Sequence, residues 1–185
     1  MTLQIVVAKY NEDVAWTDFF TNVLIYNKGS TLEPTDIPLP NIGREAHTYY
    51  YHIYTNYDNL ADYTAFLQGA PFDHSPNILN NLWKYTITPP STDFVFLSET
   101  IFYSNLSGCT HHPELKMADV YEKIFQERKE EMPLTFGTGA QFIVKREAIL
   151  RRPREFYLRI VNLFDAMCTP EACVLERLHH FIFTT

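Results

Sequence analysis

LQIVVAKYNED, Leu3–Asp13, runs from a β-branched apolar segment straight into a polar cluster. A run this short, bounded at once by polar residues, reads as a buried strand rather than a helix. It predicts a first strand whose carboxyl end carries functional side chains. Working outward, Trp16, Phe19 and Phe20 recur at helical spacing, and NVLIYNKG (Asn22–Gly29) reads as a second strand closed by an Asn and Gly turn. TLEPTDIPLPN is too broken by Pro34, Pro38 and Pro40 to be regular. GREAHTYYYHIYTNY reads as a helix, YTAFLQG as a third strand, SPNILNNLWKY as a helix and TDFVFLS as a fourth strand. HPELKMADVYEKIFQERKEE reads as an amphipathic helix and GAQFIVKR as a fifth strand. Two more helices follow, PREFYLRIVNLF with Pro153 in its first turn and ACVLERLHHFIF. Strands alternating with helices predict an α/β fold, a mostly parallel sheet flanked by helices, in one domain over residues 1–185.

The bulk composition agrees with that class. The chain has 185 residues, 46% of them hydrophobic and 20% charged, which suits a packed domain and not a disordered one. A formal charge of −7 argues against a nucleic-acid surface, which needs a net basic face. No apolar run is long enough to span a membrane, and the N-terminus has neither a basic leader nor a cleavage site. Three cysteines without paired metal-site spacing read as reduced thiols of a cytoplasmic protein, with a Cys168–Cys173 bridge as the alternative in an oxidising compartment.

In an open α/β sheet the ligand crevice lies beyond the carboxyl ends of the strands. That rule selects KYNED, NKG and QGAPFDH, together with GTGAQF leading into the fifth strand. All are rich in glycine or short polar residues.

IVVAKYNED resembles the opening strand of family 2-type glycosyltransferases with a GT-A fold. NIGREAHTYYYHI followed by LADYTAFLQGAPFD is similar to their N-x-G, a helix with an early Arg, and an apolar strand ending in D-x-D. Over nearly the whole chain, YNED, NIGREAHTYYYHIYTNYDNL, FLQGAPFDH, GAQFIVKREAILRRPREFY and LERLHHFIF are more closely similar to an uncharacterised family of fungi, algae and large DNA viruses. The resemblance implies transfer of a sugar from a nucleotide-diphosphate donor to a glycan or other hydroxyl acceptor, with no organic cofactor. One departure stands out: the D-x-D positions hold Gln68 and Ala70. Asp73 and His74 in the following loop, with His180, are the candidates for a Mn²⁺ or Mg²⁺ ion. Phosphates and water fill most positions around such an ion, so one Asp is not disqualifying, and a metal-free site stays equally open.

On this reading Asn11, Glu12 and Asp13 line the nucleotide, Asp13 being also a natural helix cap. Arg44 and Glu45 open a helix whose free amides and positive end suit a diphosphate, to which Arg44 adds a planar fork. Tyr49 and His52 share the face of Glu45. Gln68 and Gly69 fall at the sugar–phosphate position. Glu176, with His179 and His180 three and four residues on, is the candidate base for the acceptor hydroxyl. Two rivals remain: a non-catalytic nucleotide or carbohydrate module, and a metal-dependent hydrolase built on Asp73, His74, His179 and His180.

Overall fold

Strand β1 (Leu3–Lys9) forms where expected and lies at the centre of the molecule. The computed structural model describes every residue except Met1, His111 and Cys168, so the Cys168–Cys173 alternative lies outside the described residues. β2 (Val23–Asn27) and β4 (Tyr63–Gln68) flank β1, both parallel to it, and β3 (Ile37–Pro38) adds to the far side of β2. The six-stranded sheet is completed by β8 (Phe142–Lys145) and β5 (Phe94–Phe96), in the order β3-β2-β1-β4-β8-β5. The α/β expectation therefore holds, and the sheet is mostly parallel.

Burial explains why the central strands read as unbroken apolar runs rather than alternating ones. Val6 and Phe66 face one layer, packed with Tyr49, Tyr50 and Ile53 of α1 (Arg44–Thr55). The same layer holds α5 (Arg154–Val161) and α6 (Pro170–Thr184), through residues such as Tyr157, Leu178 and Phe183. Ile5, Val7, Ala65 and Leu67 face the other layer, against Trp16 and against Ile78 and Leu82 of α2 (Ile78–Ile87). Each fully buried side chain of this size contributes roughly 1.5–3 kcal/mol. Phe66→Ala, at the centre of an aromatic cluster with Tyr49 and Phe142, would cost about 3–5 kcal/mol.

The structure corrects several local readings. Residues 37–38, between the prolines, do form a two-residue edge strand, where a missing proline donor is tolerated. The helix expected from His112 onward is confined to α3 (Met117–Phe125), ended by Gln126 in the left-handed region at φ 59°. Two strands do not show in the sequence pattern: β6 (Ile101–Asn105) and β7 (Pro133–Gly137), which pair antiparallel as a separate small sheet. The fifth expected strand, β8, runs antiparallel to both β4 and β5. A short helix, α4 (Arg146–Ile149), follows it.

That reversal matters for the site. Phe142, the first residue of β8, pairs with Phe66 near the end of β4 and with Phe96 at the end of β5. The turn entering β8 thus reaches the edge of the sheet at which β1, β4 and β5 finish.

Candidate functional site

Strand order reverses direction between β1 and β4, and an open α/β sheet leaves its crevice at such a point. A two-part crevice lies there. Its first half, about 380 Å³, is lined by Ala8 and Lys9 ending β1, Tyr10, Glu12, Lys28 after β2, and Met167. Its second half, about 330 Å³, lies between β6, β7 and α6 and includes His74, Phe102, Phe136, Gly139 and Glu176. Arg44, Glu45 and Gln68 line both halves and form the sill between them.

The sill is set by an unusual start to α1. Gly43 at φ 60° and Arg44 at φ 49° are both left-handed, a conformation that costs a non-glycine residue about 1–3 kcal/mol. Backbone and side-chain bonds from two directions hold it. The amides of Gly43 and Arg44 donate to the carbonyls of Ala166 (2.8 Å) and Met167 (3.2 Å). Lys28 Nζ donates to the carbonyls of Ile42 (2.6 Å) and Arg44. Two amides expected to greet a phosphate are therefore already used, and the positive charge of this half comes from side chains. The Arg44 side chain is half exposed and lies 3.7 Å from Glu45 Oε2.

Lys28 reads in the sequence only as part of a turn. It is only 8% exposed, and burial lowers its pKa to about 7 against the opposing pull of Glu45. Nothing in NKG signals this, because the carbonyls that hold it come from a distant loop.

Glu45 keeps 12% of its side-chain exposure. Its pKa is raised, first by burial and further by the charge of Glu176; Arg44 and a Gln68 hydrogen bond oppose the rise. Glu176 accepts from the Gly139 amide through Oε1 (2.8 Å) and from Arg177 through Oε2 (3.1 Å). Arg177 is buried, bonded to the Cys173 carbonyl (2.6 Å) and Cys109 Sγ (3.4 Å), with its guanidinium 4.7 Å from the Phe136 ring centre. A guanidinium so far from water needs its carboxylate partner. Behind the sill, the Tyr49 hydroxyl is buried, and burial with Glu45 and Glu176 raises its pKa well above the usual tyrosine value.

Of the expected donor-side residues, Glu12, Arg44, Glu45 and Gln68 line the crevice. Asn11 and Asp13 fall outside it, facing a separate acidic cleft beside β1, and Asp13 accepts from the Ala15 amide at 2.8 Å. The short 3-10 turn that follows, Ala15–Phe19, has Val14 at its cap position without a side-chain cap, so Asp13 holds the Ala15 amide from one residue further back. Gly69 lies beside the crevice as a packing residue: a Cβ there would stand 2.7 Å from Glu12 Oε2, and its carbonyl accepts from Trp16 Nε1 at 2.8 Å.

The three metal candidates are not brought together. Asp73 is exposed in a short 3-10 turn, His74 lines the second half, and His180 is wedged against Phe94 and Phe96. Among the described residues, no group of three His, Cys, Asp or Glu side chains is placed to hold a metal. Asp73, His74 and His180 are thus not gathered into one set of ligands. His179 and His180 lie on the same side of α6 as Glu176, as their spacing requires, but each turns to other partners. His179 is buried and bonded to the Tyr50 hydroxyl at 2.8 Å, and burial lowers its pKa to about 3. His52 likewise meets the Tyr26 hydroxyl at 3.0 Å in the core. Neither imidazole is placed as a ligand.

Among the described residues, no helix is long and apolar enough to cross a membrane. Neither the curated proteins nor the solved structures contain a match to the chain. A family model described as a protein of unknown function, DUF3431, matches residues 5–185, and the chain belongs to that family.

Proposed function

We propose that the chain is a glycosyltransferase that moves a sugar from a nucleotide diphosphate to a hydroxyl acceptor. One observation carries the reading: a half-crevice at the strand-order reversal, lined by Lys28 and Arg44 together with Glu12 and Glu45, opens over a shared sill into a half that holds an oriented carboxylate. The resemblance of IVVAKYNED and NIGREAHTYYYHI to GT-A glycosyltransferases supports it.

On this reading Lys28 and Arg44 receive the diphosphate, with Glu12 near the nucleotide and Gln68 at the sugar. The bond from the anomeric carbon to the diphosphate oxygen breaks, and its electron pair leaves with the phosphate. The acceptor oxygen bonds to that carbon and its proton passes to Glu176. Hydrogen bonds from Gly139 and Arg177 hold the carboxylate in one orientation, and such positioning of a base is worth about 10²–10⁴ in rate. Fixed charge at the leaving diphosphate supplies the other main term. No step runs through a metal.

The test is a thermal-shift panel of nucleotide diphosphates and nucleotide sugars, with Mn²⁺, with Mg²⁺ and with EDTA, followed by turnover assays. A bound ligand at a hundredfold excess over its Kd stabilises by about 2.7 kcal/mol. The expected result is a shift with one nucleotide that survives EDTA, and a Glu176→Gln variant that keeps the shift and loses turnover. Absence of any nucleotide shift would overturn the donor site. A shift without turnover against any acceptor would favour the binding module. Release of free sugar without acceptor, dependent on tightly held metal, would favour the hydrolase.

A further inference from the structure

The second half of the crevice has one aromatic wall and a polar rim. The wall is Phe102 on β6 and its register partner Phe136 on β7, with ring centres 5.9 Å apart. Phe136 is 6% exposed and backed by Arg177, whereas Phe102 is 40% exposed at the crevice. Its neighbour Tyr103 is 83% exposed and, by strand alternation, faces away. Around the rim stand Gln68, His74, Thr138 and Glu176. Because Arg177 and Glu176 offset each other's charge, and Arg44 and Glu45 on the sill do the same, this half is close to neutral.

A pyranose has the matching shape. It presents a flat face of C–H bonds that suits an aromatic ring, and an edge of hydroxyls that suits carboxylate, amide and imidazole groups. An anionic acceptor would find the two arginines already matched by Glu45 and Glu176, and a lipid chain would meet the polar rim. At about 330 Å³ the half has room for a monosaccharide unit. We propose that it is a subsite for a neutral pyranose, stacked on Phe102 with a hydroxyl donating to Glu176, so that the acceptor is itself a carbohydrate. The word acceptor rests on the transferase reading; the sugar subsite stands without it.

The test uses saturation-transfer NMR on the full chain. Probes are methyl glucoside, methyl galactoside, methyl mannoside and N-acetylglucosamine, with sorbitol and glycerol as open-chain controls. UDP and GDP are measured in parallel to report on the other half. Wild type is expected to saturate the ring protons of at least one pyranoside and of neither polyol. Phe102→Ala is expected to weaken that binding roughly tenfold, about the worth of one aromatic contact. Phe102→Trp keeps it, which separates a lost stacking surface from a disturbed fold. Absence of pyranoside binding, equal binding by sorbitol, or equal binding by Phe102→Ala would each overturn the subsite. Pyranoside binding without nucleotide binding would instead uphold the subsite and sink the transferase reading.

Discussion

The amide of Gly139 donates to Glu176 Oε1 across 2.8 Å, tying the turn before β8 to the middle of α6. Gly139 sits at φ +76°, and an added Cβ would come 2.5 Å from the His74 ring. Gly139→Ala is therefore expected to lose about 1–3 kcal/mol of stability, read by urea unfolding. It should also lower turnover more than donor affinity, because a turn that shifts to clear the His74 ring carries its amide away from Glu176. Unchanged stability would mean that the turn relaxes at no cost.

Lys28 predicts a pH dependence. Burial lowers its pKa to about 7, so its positive charge fades as pH rises through that value. The affinity for a nucleoside diphosphate should fall as pH rises from about one unit below that pKa to about two units above it, measured by titration calorimetry. Lys28→Met should bind more weakly at the acid end and show a flatter profile across the range. An unchanged profile in the variant would remove Lys28 from the anion site.

Glu45 predicts a conflict between stability and activity. Its raised pKa means that the folded state disfavours the carboxylate, so the stability it costs grows as pH rises from the usual glutamate range towards its folded value. Glu45→Gln removes that penalty and should stabilise the protein at neutral pH by about 0.5–2 kcal/mol while lowering turnover. Thermal unfolding at about pH 5 and about pH 8 checks the sign, since the gain should be smaller at the lower pH.

Buried histidines predict acid sensitivity. His47 and His52 have pKa values lowered to about 4 and His179 to about 3, each chiefly by burial. The unfolded chain takes up these protons near pH 6.5 and the folded chain does not. Stability is thus full above about pH 6.5 and is lost on acidification towards about pH 4, at roughly 1.4 kcal/mol per pH unit for each histidine. Urea midpoints at about pH 7, 6 and 5 measure it. Replacing His179 by Gln should flatten the slope.

Most of this fold is legible along the chain because its main strands are buried on both faces. Ile5, Val6 and Val7 in β1 and Ala65, Phe66 and Leu67 in β4 form apolar runs that only a covered sheet tolerates. Strand direction is different. Phe142–Lys145 reads as apolar whichever way it points, and its reversal is fixed by pairing with β4 and β5, far away in sequence. β6 escapes notice because Phe102, Tyr103 and Ser104 show no clean alternation, and only β7 gives them a partner. Glu12, Arg44, Glu45, Gln68 and Glu176 are visible as polar residues at element ends or on a helix. Lys28 and Arg177 are not, since one depends on distant carbonyls and the other on Cys109 and Phe136. His179 and His180 mislead for a geometric reason: consecutive helical residues point about 100° apart, here towards Tyr50 and towards Phe94 and Phe96.

The antiparallel course of β8 has an architectural corollary. The chain departs from β5 at Phe96 and re-enters the sheet at Phe142, and these two residues are paired neighbours. Everything between them, including β6, α3 and β7, is an excursion that leaves and returns through a single doorway. None of its strands pairs with the six-stranded sheet, so its length can change without a change of strand register, provided that the buried face it lays on α5 and α6 is kept. The register of the main sheet and the wall that β6 and β7 give the crevice are therefore fixed by separate strand pairings.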